Sequence, residues 1–412
     1  REVKKKVKSP YGREEKESSW NSQLALDSRF FLERKPGSKE SFFPSFSFIA
    51  SYHRSWDDGK YLFDFVPSFR FDHEDSARNL IDIQELSWIR VGEDWELRAG
   101  VREVFWGVTE SRHLVDVINQ LDFTEGLDGE EKLGQPMVNV SFSRNWGVVD
   151  FFLLPGFRER RFSGVNSRPS FPLAIKENSS KFESGAENYR LDFAFRWSHY
   201  FGDLELGLSH FTGTSREPRF LPKNKDIGGA SDTLEYFAPY YDVIDQTGVD
   251  AQYFFGDWAW KLEYISRSGQ GARFWASVFG FEKTFVGVMH SRTDLGLLIE
   301  HLYDSRKNDL INLTENDLAL GIRYSLNNPW DTNALLVALY DIDSKEYALS
   351  LEATTRIGAN WRLSLEASFF LNIPNSSLEE DSWVSSERPT SDSELIFFDD
   401  EDFVRLQLIR YF

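Results

Sequence analysis

The chain has 412 residues, with 66 acidic against 47 basic side chains for a formal charge of -19, and it contains no cysteine. That charge excludes a nucleic-acid binder, which needs a basic footprint, and the lack of thiols excludes disulfide frameworks and thiolate metal sites. Mean hydropathy is negative and no apolar run reaches 18 residues, which excludes a helical membrane protein but not a membrane β-barrel, where only alternate strand residues face lipid.

Taken in chain order, period-two alternation marks about eighteen strand candidates, at 20–32, 41–53, 60–72, 79–91, 94–105, 136–145, 146–155, 188–201, 203–213, 246–256, 257–267, 272–284, 292–304, 316–327, 332–342, 345–357, 359–371 and 402–412. A count of sixteen fits the same pattern, since boundaries read from alternation shift by a few residues. An even number is what a barrel with both termini on one side of the membrane requires. Residues 1–19, opening Arg1-Glu-Val-Lys-Lys-Lys6, show neither alternation nor a secretory signal. They read as a flexible periplasmic tail on a mature chain whose export signal has been removed, with 20–412 as one barrel domain.

The connections sort by parity. Gly92-Glu-Asp94, Arg144-Asn-Trp146, Gly202-Asp203, Gly256-Asp257 and Gly358-Ala-Asn360 separate even from odd candidates, with a slightly longer 327–331 and an irregular 286–291 in the same class. The long segments 106–135, 156–187, 214–245, 305–315 and 372–401 all separate odd from even. A transmembrane barrel has this asymmetry, with short periplasmic turns and long outer loops. Trp88, Trp95, Trp146, Trp258, Trp330 and Trp361 lie beside the short turns, where amphipathic rings collect at a lipid–water boundary.

Each strand splits into two faces. Leu191, Phe193, Phe195 and Trp197 alternate with Arg190, Asp192, Arg196 and Ser198; Leu318, Leu320, Ile322 and Tyr324 alternate with Arg323 and its polar neighbours; Trp361, Leu363 and Leu365 alternate with Arg362, Ser364 and Glu366. The polar set belongs to a wet lumen, where opposed charges set permeability, or to local pairs across neighbouring strands. Residues 104–135 stand apart, because Leu114, Val117, Ile118 and Leu121 recur at helical spacing. The spacing predicts a short amphipathic helix beginning near Ser111. A loop with an apolar stripe must bury it, either on the outer rim or inside the barrel as a constriction. In the second case Glu110, Arg112, His113, Asp116 and Asp122 would meet Arg98 and Arg102. The expected pore-lining set is therefore Arg98, Arg102, Glu110, Arg112, His113, Asp116, Asp122, Arg190, Asp192, Arg196, Arg323, Arg362 and Glu366.

The closing segment, Phe403-Val-Arg-Leu-Gln-Leu-Ile-Arg-Tyr-Phe412, alternates and ends on an aromatic residue, which resembles the terminal strand of outer-membrane porins, although Arg410 stands where that signature usually has Tyr. Residues 104–135, Gly280-Phe-Glu-Lys-Thr-Phe285 and 293–303 are similar to a group of Gram-negative porin-like outer-membrane proteins of unassigned substrate. More loosely, the size resembles the carboxylate-specific porins and the alginate-export barrels. The resemblance implies an all-β transmembrane antiparallel barrel in the outer membrane, acting as a passive channel for small hydrophilic solutes. The competing reading is a loop-plugged barrel serving as scaffold or outlet of an envelope export complex. Implied partners are outer-membrane lipid and lipopolysaccharide, the barrel-assembly machinery through the strand ending in Phe412, and either further copies of the chain or an envelope-complex protein. No cofactor or metal is expected. The seven histidines form no zinc pair. Adjacent Ser198 and His199 point to opposite faces, so a direct catalytic dyad is ruled out and no enzyme is expected. Asp128-Gly-Glu-Glu131 and 399–402 are acidic enough for calcium but lack the spacing of a calcium loop.

Overall fold

Every alternating segment named above is a strand. The structure, a computed structural model, describes residues 18–33, 40–126, 129–164, 167–168, 173–225, 233–306, 314–373, 395, 398 and 400–412. The expected tail up to residue 17, Asp128 and Asp399 lie outside the described residues. The first nine barrel strands are β1 (Ser18–Phe31), β2 (Phe42–Trp56), β3 (Tyr61–Asp72), β4 (Leu80–Val91), β5 (Trp95–Arg102), β6 (Gln135–Arg144), β7 (Gly147–Pro155), β8 (Leu191–Phe201) and β9 (Leu204–Thr214). They are followed by β10 (Val243–Phe255), β11 (Trp258–Ser268), β12 (Phe274–Phe285), β13 (Asp294–Asp304), β14 (Asn316–Ser325), β15 (Asn333–Asp341), β16 (Tyr347–Ile357), β17 (Trp361–Leu371) and β18 (Phe403–Tyr411).

These form one 18-stranded antiparallel sheet in which each strand pairs with the next. β18 returns to β1 with Gln23 opposite Tyr411 and Phe31 opposite Phe403, and Phe412 N donates to Ser22 O at 2.9 Å. Closure matters in lipid, because an open edge would leave backbone amides and carbonyls with neither water nor partner. Alternation then sets which face meets lipid. Phe193, Leu320, Ile322 and Leu406 are exposed on the outside, while Asp192, Glu263 and Glu300 are fully buried inside.

Gly202 and Gly256 take φ of 66° and 59° at their turns, with open space where a Cβ would stand. Positive φ is what a tight hairpin between right-twisted strands demands. The 286–293 connection is irregular because Gly287, Met289 and His290 all have positive φ around a 3-10 turn. Trp146, Trp330 and Trp361 are exposed at this short-turn end, where Trp56, Tyr61 and Trp88 stack in a row.

Loop parity holds for the five long segments, but two odd-to-even connections, 269–273 and 342–346, are also short. The segment between β9 and β10 carries a hairpin of its own, Arg219–Lys225 with Thr233–Tyr241. Its second strand pairs in parallel with Ala174–Ile175 and Lys181–Phe182 from the preceding long loop. Alternation inside a loop gave no sign of this outer sheet, which depends on two loops meeting.

Candidate functional site

After Arg102 the chain leaves the wall and turns into the barrel. Asn119 closes the neck of this loop: its side chain accepts from Val104 N at 2.8 Å and donates to the carbonyls of Arg102 and Leu133, both at 2.9 Å. Gln120–Leu121 then pairs with Lys132–Leu133. The far arm is held by two wall carboxylates. Glu263 on β11 accepts from Val108 N (2.8 Å), Thr109 N (3.1 Å), Thr109 Oγ1 (2.7 Å) and Val115 N (3.1 Å). Glu300 on β13 accepts from Glu110 N (2.9 Å), Ser111 N (2.8 Å) and Ser111 Oγ (2.6 Å). Gly107 is needed at the first of these seats, since a Cβ there would lie 2.8 Å from Glu263 Oε1 and its φ is 141°.

These bonds explain why the helix expected from Ser111 is absent, the backbone there being irregular. Val115 N, which in a helix begun at Ser111 would bond back to Ser111 O, is given instead to the Glu263 carboxylate, a charge-assisted acceptor stronger than a neutral carbonyl. The helical spacing of Leu114, Val117 and Ile118 reflects burial all the same. Together with Trp106 and Val115 they pack against Met137, Phe152, Leu154, Ala194, Phe211, Ile244 and Ile265, all facing inward. Gly248 leaves the room, since a Cβ there would come within 3.0 Å of Val115 Cγ1. The β6–β14 side of the lumen is thus a protein core. Space remains in a cavity of about 270 Å³ along β1–β4, β17 and β18, lined by Gln23, Ser47, Ser68, Ser364 and Gln407, with Arg70, Asp122, Glu125, Glu366 and Arg405 among its charged groups. A second, of about 300 Å³, lies between the loop, β11 and the long-loop end, lined by Arg112, His113, Asp116, Arg216, Glu217, Arg267 and Arg306.

The thirteen expected residues separate accordingly. Asp122 and Glu366 line the first cavity; Arg112, His113 and Asp116 line the second. Asp122 binds Arg70 (2.9 Å) and Arg161 (3.0 Å), and Glu366 binds Arg405 (3.3 Å). Glu110 meets Arg323 at 2.6 Å and Lys261 at 3.9 Å. Arg112 reaches Asp304 and Glu217, each at 3.8 Å, and Asp116 pairs with Lys132. Arg190 pairs with Asp192, which Arg216 also binds at 2.9 Å; Arg196 forks onto Asp250 with both contacts at 2.7 Å and lies over the Trp106 ring. Those three belong to the packed side. Arg362 lies 3.5 Å from Asp331 near the short-turn end. The loop's charges do not gather at Arg98 and Arg102, as the sequence suggested. Arg98 pairs with Glu96 and donates to Asn139, and Arg102 stands 3.8 Å from Glu85. Both lie on β5 at the root of the loop, which projects away from them to the opposite wall.

Ionisation in the loop follows its surroundings. Burial opposes a charge on His113, yet Glu130 at 3.2 Å and Glu263 at 3.9 Å push it up to about 10. Burial pushes Asp116 up to about 6 against the pull of Lys132, and burial with repulsion from Glu131 pushes Glu103 up to about 7.

One constellation escaped the sequence reading. Glu125, in the inner loop, is surrounded by Arg78 (2.8 Å), Arg70 (2.9 Å) and Arg405 (3.0 Å), and its carbonyl accepts from Arg29. Burial opposes its charge, but these guanidiniums hold its carboxyl far below the usual range. Inward parity marks Arg29, Arg70 and Arg405 on their strands; nothing local marks Glu125 as their common partner.

The architecture is that of the outer-membrane porins. The chain resembles the solved structure of OccD3 (OpdP) from Pseudomonas aeruginosa, at 12% identity over 96% of this chain and 91% of that one, with a TM-score of 0.52. It also resembles a BenF-like porin from Pseudomonas fluorescens Pf-5 (10% identity, 96% and 98% covered, TM-score 0.53) and Pseudomonas aeruginosa OpdQ (10%, 96% and 96%, 0.51). At such identities the likeness is one of fold. No protein-family model matches the chain, and no curated protein does.

Proposed function

We propose that this protein is a channel of the Gram-negative outer membrane through which small hydrophilic solutes diffuse passively, with no chemical step. The observation that carries the reading is the polar cavity of about 270 Å³ kept open beside an inward loop within a closed barrel. An eighteen-stranded barrel has an interior wide enough for an aqueous path when it is not filled. In this reading the long-loop end is extracellular, the short turns are periplasmic, and the aromatic rows beside them sit at the inner lipid boundary. The thirteen expected residues then divide into a path set and a packing set, with Asp122 and Glu366 on the path and Arg190, Asp192 and Arg196 in the packing. Lipid and lipopolysaccharide surround the barrel, and the assembly machinery takes the strand ending in Phe412.

The plugged-scaffold reading draws on a different observation, the ties of the loop to β3, β11, β13, β14 and β18. Planar-bilayer recording separates the two. A channel gives stepwise ionic current on insertion of the purified protein; a silent bilayer containing folded barrel would favour the scaffold.

A further inference from the structure

Three arginines converge on a single loop carboxylate at the long-loop end of the 270 Å³ cavity, and a fourth holds the same residue's carbonyl. Arg29, Arg70 and Arg405 come from three wall strands and Arg78 from the β3–β4 connection, whereas Glu125 belongs to the inner loop. The wall supplies part of the compensation: Asp27 binds Arg405 at 2.6 Å and Asp72 binds Arg78 at 3.0 Å. Arg29, itself buried, has among the described residues neither such a mate nor an acceptor at its Nε, and its Nη2 donates to the Glu125 carbonyl. Within the loop segment Asp122 Oδ1 accepts from Thr124 N at 3.1 Å and Thr124 Oγ1 at 2.6 Å, and Arg70 Nη2 donates to Thr124 Oγ1 at 2.8 Å as well as to Asp122 at 2.9 Å.

We infer that Glu125 is a tethered ligand: its carboxylate occupies an oxyanion site made by Arg70, Arg78 and Arg405, with Arg29 holding its backbone carbonyl, latching the loop across the cavity until a free oxyanion takes its place. The physical reason is charge conservation. Withdrawing Glu125 alone would take from Arg70, Arg78 and Arg405 the carboxylate they share, leaving them Asp122, Asp72, and Asp27 with Glu366 respectively, and would break the Arg29 bond, which is unfavourable in a buried charge cluster. Exchanging it for a carboxylate or a phosphate monoanion from solution keeps the count and replaces the charge-assisted contacts that Arg70, Arg78 and Arg405 make to the two Glu125 oxygens. The latch is therefore closed in chloride and opened by the class of solute that the site binds. Asp122, bound to Arg70 and Arg161, is carried by the same segment and shifts with it.

This inference rests on the channel reading, and its test keeps the two apart. Single-channel current is recorded in planar bilayers at constant ionic strength, in chloride and with chloride replaced stepwise by inorganic phosphate. Wild-type conductance should rise saturably, on the order of twofold or more. Glu125→Ala should conduct at the raised level in chloride alone and respond no further; Glu125→Asp, which keeps the carboxylate, should behave as wild type. Glu235→Gln removes a carboxylate of the hairpin between β9 and β10, paired with Lys176 and outside the arginine cluster, and should leave the phosphate response in place. Heat-modifiable gel mobility establishes that each variant is folded. If wild type and Glu125→Ala conduct alike and neither responds to phosphate, the latch is wrong and the channel stands. If no protein conducts in either anion, the channel reading falls and the latch with it.

Discussion

Glu263→Ala tests how the inner loop is held. The carboxylate is fully buried and takes three loop amides and one hydroxyl. Leaving a buried donor unsatisfied costs about 1–3 kcal/mol, and water entering the vacated volume takes the three amides together to the low end of their sum, about 3 kcal/mol. That corresponds to roughly a hundredfold in the local opening equilibrium. The change is confined to one arm, because the Glu300 anchor and the buried Leu114, Val117 and Ile118 are untouched, each such side chain contributing about 1.5–3 kcal/mol. Hydrogen exchange followed by mass spectrometry on a peptide spanning 104–116 should show protection falling by about two orders of magnitude, with strand peptides unchanged. Wild-type protection in a folded variant would refute the anchoring role, and a uniform loss across the strands would show that Glu263 supports the barrel instead.

Face assignment is tested by neighbours at one depth: Leu406→Arg places a charge in lipid at a cost of about 2–4 kcal/mol near the midplane, whereas Gln407→Arg faces the cavity and should refold into vesicles nearly as wild type. Equal refolding yields would mean that the faces are misassigned. Topology is tested by single cysteines in this cysteine-free chain, with Gly185→Cys labelled on whole cells by an impermeant reagent and Gly256→Cys protected; the reverse pattern would invert the barrel. His113 supplies a pH dependence. Its folded value of about 10 lies above the unfolded value near 6.5, so its contribution is complete below about pH 6.5 and is lost as pH rises toward 10. His113→Gln should remove that slope from the midpoint of the heat-modifiable transition, and a slope equal to that of wild type would show that another group titrates. Ile118→Ala should cost about 2–5 kcal/mol of loop docking and raise conductance noise without changing the strand count; quiet, wild-type current would place the apolar stripe outside the gating path.

The strands were legible because their causes are local. A residue's neighbours two places away decide whether Phe193 and Asp192 can share a strand between lipid and lumen, and a glycine with open space at Gly256 marks a turn wherever it occurs. The same local rule misread residues 111–121, whose helical spacing records burial against the wall rather than a helix. The destination of that loop depends on Glu263 and Glu300, more than a hundred residues away in the chain, and on Gly248 leaving room for Val115. Glu125 is the extreme case: its four arginine neighbours come from β1, β3, the β3–β4 connection and β18, and become a cluster only when the last strand closes on the first. The sequence by itself determined the barrel and its two faces and put the strand count at about eighteen with sixteen left open, because alternation is enforced residue by residue at the lipid boundary. Only the tertiary structure decided which inward charges line a space and which are buried in a core, because that choice is made by contacts between segments the chain alone does not bring together.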